Sequence, residues 1–261
     1  THPGIVNRNY EGVIRQSGDT VHVSRLSEIT VKPYDVSTPM ETEGVSIVDN
    51  ALLIDQGDYL SFKVNDTDEF QSAVAIKDPS IQRASKKLVK SADTYVGDVM
   101  AAGVKASNKI GAVEVAKRGD DAYDLVVELR KKLAANDAPD NRFLIVGPEL
   151  ESALLRDDRL VKANQAGTDT GLRNGYIGRL LGFNIYVSNN VKVTAGRETV
   201  IAGVPEATTF ASQLTKMRQQ PMEDYFATKI DGLHIYGAKV FLPEGLASAE
   251  VTLKDPAPVT P

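Results

Sequence analysis

Hydrophobic and polar residues alternate with a period of two through much of residues 18–66. Val21 and Val23 alternate with Thr20, His22 and Ser24, and Ile29 and Val31 alternate with Thr30 and Lys32. Pro33 and Pro39 bracket a bend, and residues 46–64 return with Leu52/Ile54 and Leu60/Phe62/Val64 in alternation. A pleated strand puts such residues on one face, so the segment predicts a long two-stranded ribbon. Gly57 marks a bulge or kink in the returning arm. An arm of about 14 residues reaches roughly 45 Å at ~3.3 Å per residue. A lone two-stranded ribbon is marginal in water, so this one must borrow stability from another surface.

The period then changes to that of a helix. Residues 66–76 predict a short helix capped by Asp66 or Thr67. Asp78-Pro79 predicts the start of a helix over 79–108, with Asp at the N-cap and Pro at the first helical position. Ile81, Leu88, Tyr95 and Ala102 fall seven apart, and Ser85, Val89, Ala92, Val96 and Val99 fill the adjoining face. Gly97 and Gly103 each cost about 1 kcal/mol in a helix interior, which places them where something packs closely. Gly111 reads as a terminator. About 30 residues at ~1.5 Å each give roughly 45 Å, enough to span a domain.

Residues 121–221 predict an α/β layer. An amphipathic helix over 121–135 has acids first and bases last, as the helix dipole favours. Residues 142–147 read as a buried strand, and Pro148 opens a helix through Leu155. Residues 182–188 and 199–203 read as strands, and Pro205 opens a short helix. Residues 212–242 return to strand character, with Asp231-Gly232 as a two-residue hairpin turn. Before these elements, residues 1–17 read as an extended arm anchored by Ile5, Tyr10 and Ile14. After them, residues 254–261 form a Pro-rich tail expected to be disordered. There are no internal repeats.

The bulk composition adds exclusions. The chain has 261 residues, 42% hydrophobic and 25% charged, which is ordinary for a soluble globular protein with a proper core. No run of about 18 apolar residues predicts a membrane span, and no signal peptide is read. The chain opens at Thr1 without Met, which is consistent with removal of an initiator or a longer leader. Cysteine is absent, so disulfides and thiolate metal sites are excluded. The net charge of −5 argues against a dedicated polyanion binder, though not against a surface that merely encloses nucleic acid.

Candidate chemistry is thin, and no catalytic, cofactor-binding or metal residue is assigned. His2, His22 and His234 are scattered and have no metal-ligand spacing. Asp66/Asp68/Glu69 and Asp120/Asp121/Asp124 lie at helix starts, where capping accounts for them. Residues 167–175 are glycine-rich but lack the Gly-Lys-Ser/Thr of a phosphate loop and read as a mobile loop. Ser152, Ser188 and Ser212 lack a nucleophile elbow. Arg83, Lys86, Lys87 and Lys90 form a basic patch early in the long helix. It reads either as a solvated face or as an inward or intersubunit surface that meets acids or packaged nucleic acid.

Two stretches go further. Residues 141–160 (NRFLIVGPELESALLRDDRL) and 172–190 (LRNGYIGRLLGFNIYVSNN) resemble the major capsid proteins of tailed bacteriophages. Supporting pieces lie in order at 6–12, 18–23, 53–66 and 231–246, so the resemblance covers nearly the whole chain. It implies an α+β phage major capsid fold of the Hong Kong ninety-seven type. Its parts would be an N-terminal arm at 1–17, an E-loop hairpin at 18–66, and a peripheral domain at 67–120 built on a spine helix. An axial domain at 121–213 would follow, then return strands of the peripheral domain at 214–253 and a flexible tail at 254–261.

The resemblance implies a non-enzymatic shell protein without cofactors that self-assembles into pentamers and hexamers of an icosahedral head around double-stranded DNA. The ribbon would lie over an adjacent subunit, and loops such as 164–175 would approach the capsomer axis. Scaffolding, portal and decoration proteins are implied partners, and the virion, assembled in host cytoplasm, is the implied location. Some relatives crosslink a lysine to an asparagine. Lys32 is the lysine to consider, but no motif fixes a partner, so no crosslink is assigned. The alternatives are an encapsulin-like compartment shell and a soluble α/β enzyme with its site around 147–190.

Overall fold

The computed structural model describes residues 1–9, 20–26, 42, 44, 47–65, 77–117, 121–156, 178–222 and 225–254. Its strands are β1 (Thr20–Leu26), β2 (Ile47–Leu53), β3 (Gln56–Asn65), β4 (Lys109–Ala116), β5 (Arg142–Val146), β6 (Arg179–Leu180), β7 (Phe183–Val187), β8 (Val193–Thr194), β9 (Arg197–Gly203), β10 (Thr208–Pro221), β11 (Ala227–Val240) and β12 (Leu246–Lys254). The helices are α1 (Lys77–Gly103), α2 (Asp121–Ala134) and α3 (Pro148–Leu155).

β5 is the keystone of a mixed seven-stranded sheet of order β4-β12-β9-β5-β7-β6, with β8 paired to β9. All five β5 residues, Arg-Phe-Leu-Ile-Val, are buried, as expected of a strand covered on both faces. Leu144 and Val146 join Leu125, Val126, Leu129 and Leu133 of α2 and Leu150 and Leu154 of α3 in one core. Phe143 and Ile145 point the other way, into a second core with Val96 and Met100 of α1, Ile5, Phe210 and Tyr236. The period-two alternation of one strand thus joins both halves of the interior.

The second sheet is antiparallel, of order β10-β11-β3, and α1 lies against β11 and β3. Among the described residues β1 and β2 pair only with each other, Thr20 opposite Leu53 through Leu26 opposite Ile47. The tip of the expected ribbon, with Ile29 and Val31, lies outside the described residues. The returning arm breaks at Ile54–Asp55, and its second half, β3, leaves to pair with β11, Gln56 opposite Tyr236 through Asn65 opposite Ala227. The break lies just ahead of Gly57 rather than at it. Leu52 of β2 and Ile54 just after it are buried with Ala211 and Ile235.

Four other expectations need correction. α1 starts at Lys77, so Asp78 and Pro79 lie inside its first turn, where orphan N–H groups make Pro tolerable. It ends at Gly103 rather than 108, because the chain turns to lay β4 along β12; the buried Asn108 amide donates to the Glu244 and Leu246 carbonyls. The buried row of α1 is Leu88, Ala92, Val96 and Met100, four apart, while Val89 is 59% exposed. A seven-residue repeat drifts around a straight helix, which carries Ala102 out to solvent. Asp231-Gly232 lies mid-strand, opposite Arg218 and Met217 on one side and Ser61 and Leu60 on the other. The turn between β10 and β11 falls at 222–226 instead.

The sheet around β5 also takes in β4 and β12. Ile5 is a buried anchor of the N-terminal segment, and Asn7 bridges to Thr209. Tyr10, Ile14, the short helix at 66–76, the 164–175 loop and the 255–261 tail lie outside the described residues.

Candidate assembly surfaces

The N-terminal segment is held by one buried carboxylate. Asp93 lies in mid-α1 at 2% exposure. Its Oδ1 accepts the backbone N–H of His2 at 2.6 Å and lies 2.8 Å from the Thr1 α-amino group and 3.0 Å from His2 Nδ1. Its Oδ2 accepts from Asn190 Nδ2 at 2.6 Å and from Ser188 Oγ at 3.4 Å. Burial by itself would raise this carboxyl, but the donors from His2, the α-amino group and Asn190 outweigh it and hold it well below the usual carboxylate range. The His2 ring lies over Gly97, where a Cβ would stand 3.3 Å from Nε2. One acid thus ties the N-terminal segment, α1 and the β7–β8 connection together.

A second polar cluster fastens α1 to the three-stranded sheet. The Tyr236 hydroxyl donates to Asp58 Oδ2 at 2.7 Å and lies 3.5 Å from Ser91 Oγ. Burial, with the Asp58 charge beside it, pushes Tyr236 up to about 12. Hydrogen bonds from Ser91 and Tyr236 lower Asp58. Tyr95 meets the Tyr236 ring edge-on at a 5.4 Å centroid distance.

Beyond these locks the molecule leaves apolar groups bare. Tyr59 and Leu233 face each other across β3 and β11, beside a cavity of about 360 Å³ that Arg218, Lys229 and Asp231 also line. At the end of the sheet where β10 and β11 connect, Tyr225 and Phe226 are exposed, Phe226 by 89%. Lys63 Nζ sits 4.7 Å from the Tyr225 ring centroid. Exposed aromatics side by side at such a sheet end mark an interaction surface.

The residues weighed for chemistry do not converge. His2 is buried against Asp93, His22 lies in β1 opposite Ala51, and His234 stacks near Tyr236. Asp121 accepts the Ala116 N–H at the start of α2. Ser188 serves Asp93, and Ser152 donates to the Glu149 carbonyl. Ser212 lies in β10. Arg83, Lys86, Lys87 and Lys90 are exposed on α1. Asp66, Asp68, Glu69, Asp120, Lys32 and residues 167–175 lie outside the described residues. Among the described residues no group of three His, Cys, Asp or Glu side chains is placed to hold a metal, and no helix is long and apolar enough to cross a membrane. Sequence patterning missed Asp93, whose only signal is an acid beside the apolar row of α1. It also missed Phe226, which gives no signal apart from tertiary exposure.

The chain matches the family model described as phage capsid protein over residues 54–249. A solved chain from Mycobacterium phage Che8 is 30% identical, with 95% of this chain and 90% of that one covered and a TM-score of 0.77. The capsid of cyanophage P-SCSP1u (14% identity, 95% and 86% coverage, TM-score 0.72) and that of Ralstonia phage GP4 (14%, 99% and 90%, TM-score 0.70) share the fold. No curated protein matches. These similarities favour a phage capsid over an encapsulin-like compartment, and their α+β architecture is the Hong Kong ninety-seven type. The chain belongs to the phage capsid protein family, as a major capsid protein of a tailed phage.

Proposed function

We propose that copies of this chain associate as pentamers and hexamers and close into an icosahedral head around double-stranded DNA. The observation that carries the reading is the β1–β2 ribbon, two strands that among the described residues pair only with each other, with Leu52 and Ile54 anchoring its base. Such a ribbon gains its stability from a neighbour. Many weak lateral contacts of this kind add up over a shell. In this reading residues 1–17 are the arm, 18–66 the E-loop that laps an adjacent copy, and 67–120 with 214–253 the peripheral domain. Residues 121–213 are the axial domain, and the 164–175 loop approaches the capsomer axis. The role is structural and needs no catalysis or cofactor.

The exposed basic row Arg83, Lys86, Lys87 and Lys90 recurs on one face of α1, and no described carboxylate pairs with it. It offers the packaged polyanion charge without sequence readout. Scaffolding, portal and decoration proteins are the further partners, and assembly takes place in host cytoplasm before the chain becomes part of the virion.

Electron microscopy of the expressed protein tests the reading, alongside a variant lacking residues 34–46. Closed particles from the intact chain and a sharp loss of yield from the deletion are expected. Undiminished, equally stable particles from the deletion would remove the lapping role.

A further inference from the structure

Three arginines surround one cavity of about 250 Å³ at the β6 end of the seven-stranded sheet. Arg130 comes from α2, Arg142 opens β5, and Arg179 lies in β6, the outermost strand; Asp140, Leu181 and Gly182 complete the lining. Leu181 at φ 49° and Gly182 at φ 85° form the tight turn that brings β6 back along β7. A left-handed leucine is strained, and such strain persists only where the surroundings hold it.

The charges do not balance. The Arg142 side chain is only 9% exposed. It has five N–H donors. Nε donates to the Pro139 carbonyl and Nη2 to the Ala138 carbonyl. Asp140 comes no nearer than 3.9 Å and is itself fully exposed. Neither Arg130 nor Arg179 pairs with a described carboxylate. A nearly buried guanidinium with donors to spare, flanked by two more cations, is built to receive an oxyanion.

We propose that Arg130, Arg142 and Arg179 form an anion socket whose ligand is a carboxylate side chain from a second copy of this chain. The fork of a guanidinium matches a carboxylate bidentately. The socket sits beside β6, the outermost strand of the sheet among the described residues, where another molecule can approach. The chain carries 35 acidic against 30 basic residues, so a neighbour's surface offers carboxylates in excess. The proposal rests on self-association of the chain.

The test is a map of assembled wild-type particles at side-chain resolution, with Arg179→Ala, Arg179→Lys and the double variant R130A/R179A compared in assembly. The expected map places a carboxylate of a neighbouring copy about 3 Å from at least two of the guanidiniums. R130A/R179A is expected to raise the critical concentration for assembly about tenfold or more, with the far-UV circular dichroism unchanged. Arg179→Lys is expected to fall between Arg179→Ala and wild type. A cavity open to bulk solvent overturns the proposal, as does one filled by this copy's own 157–177 segment or by a DNA phosphate. Wild-type assembly of R130A/R179A overturns it as well. In each of those cases particles still form, so self-association stands; absence of any particle from the wild-type chain sinks self-association instead.

Discussion

Asp93 illustrates how much one side chain can decide. Removing its carboxylate strands the His2 N–H, the Asn190 amide and the Ser188 hydroxyl in a nearly dry site. Breaking a buried, hydrogen-bonded charge in this way costs about 3 kcal/mol or more. Asp93→Ala is therefore expected to lower the midpoint of urea unfolding and to release the N-terminal segment to limited proteolysis. Because the folded carboxyl is depressed, its stabilisation is fully present above the unfolded pKa of about 4 and is lost as pH falls below that value. Wild type should thus lose stability from pH 5 to pH 2 more steeply than Asp93→Asn, measured by unfolding at each pH. Gly103 makes a second case. A Cβ there would stand 2.5 Å from Val240 Cγ2. At the last residue of α1 Gly103→Ala gains little helix propensity, while overpacking costs about 1–3 kcal/mol, so a net loss in thermal stability is expected. The sequence carried this much: glycines inside a helical pattern imply close packing, and both Gly97 and Gly103 meet it. It did not carry the partners, His2 and Val240, which come from remote parts of the chain.

Among the elements, α3 shows how a short helix is held without a capping residue of its own. Gly147 precedes it and supplies no side-chain cap. Glu198, from β9, reaches across and accepts the Glu149 and Leu150 N–H groups at 3.2 and 3.4 Å. Burial pushes the Glu198 carboxyl up against those two donors. Glu198→Ala is expected to cost about 1–2 kcal/mol, and Glu198→Gln less, because the amide oxygen still accepts; chemical denaturation ranks the two. Element boundaries were most legible where local chemistry acts alone. Pro148 opens α3 and Leu155 closes it as the sequence predicts. They were least legible where two elements compete for one segment. Residues 46–64 read as one returning arm with a kink at Gly57, yet the first part pairs with β1 and the second with β11. Asp231-Gly232 carries strong turn chemistry, yet neighbours on both sides hold it straight.

At the scale of the whole molecule, surfaces left bare by one copy define what other copies must cover. Phe226 is 89% exposed and contributes little to the fold of a single chain. Phe226→Asp is expected to leave subunit stability within about 0.5 kcal/mol and to depress particle yield, read by circular dichroism and sedimentation velocity. If particle yield is unchanged, the turn between β10 and β11 plays no part in the lattice.

The amino-acid order by itself determined the sequence of strands and helices through the α/β layer, the long helix and the paired strands ahead of it. Each depends on periodicity, proline and glycine positions within a few residues of one another. Tertiary structure alone decided which strand half joins which sheet, where α1 stops, and which lone charges become buried locks or unbalanced sockets. Those outcomes depend on residues tens to more than a hundred positions apart, such as His2 and Asp93 or Arg142 and Arg179, whose meeting no local pattern encodes.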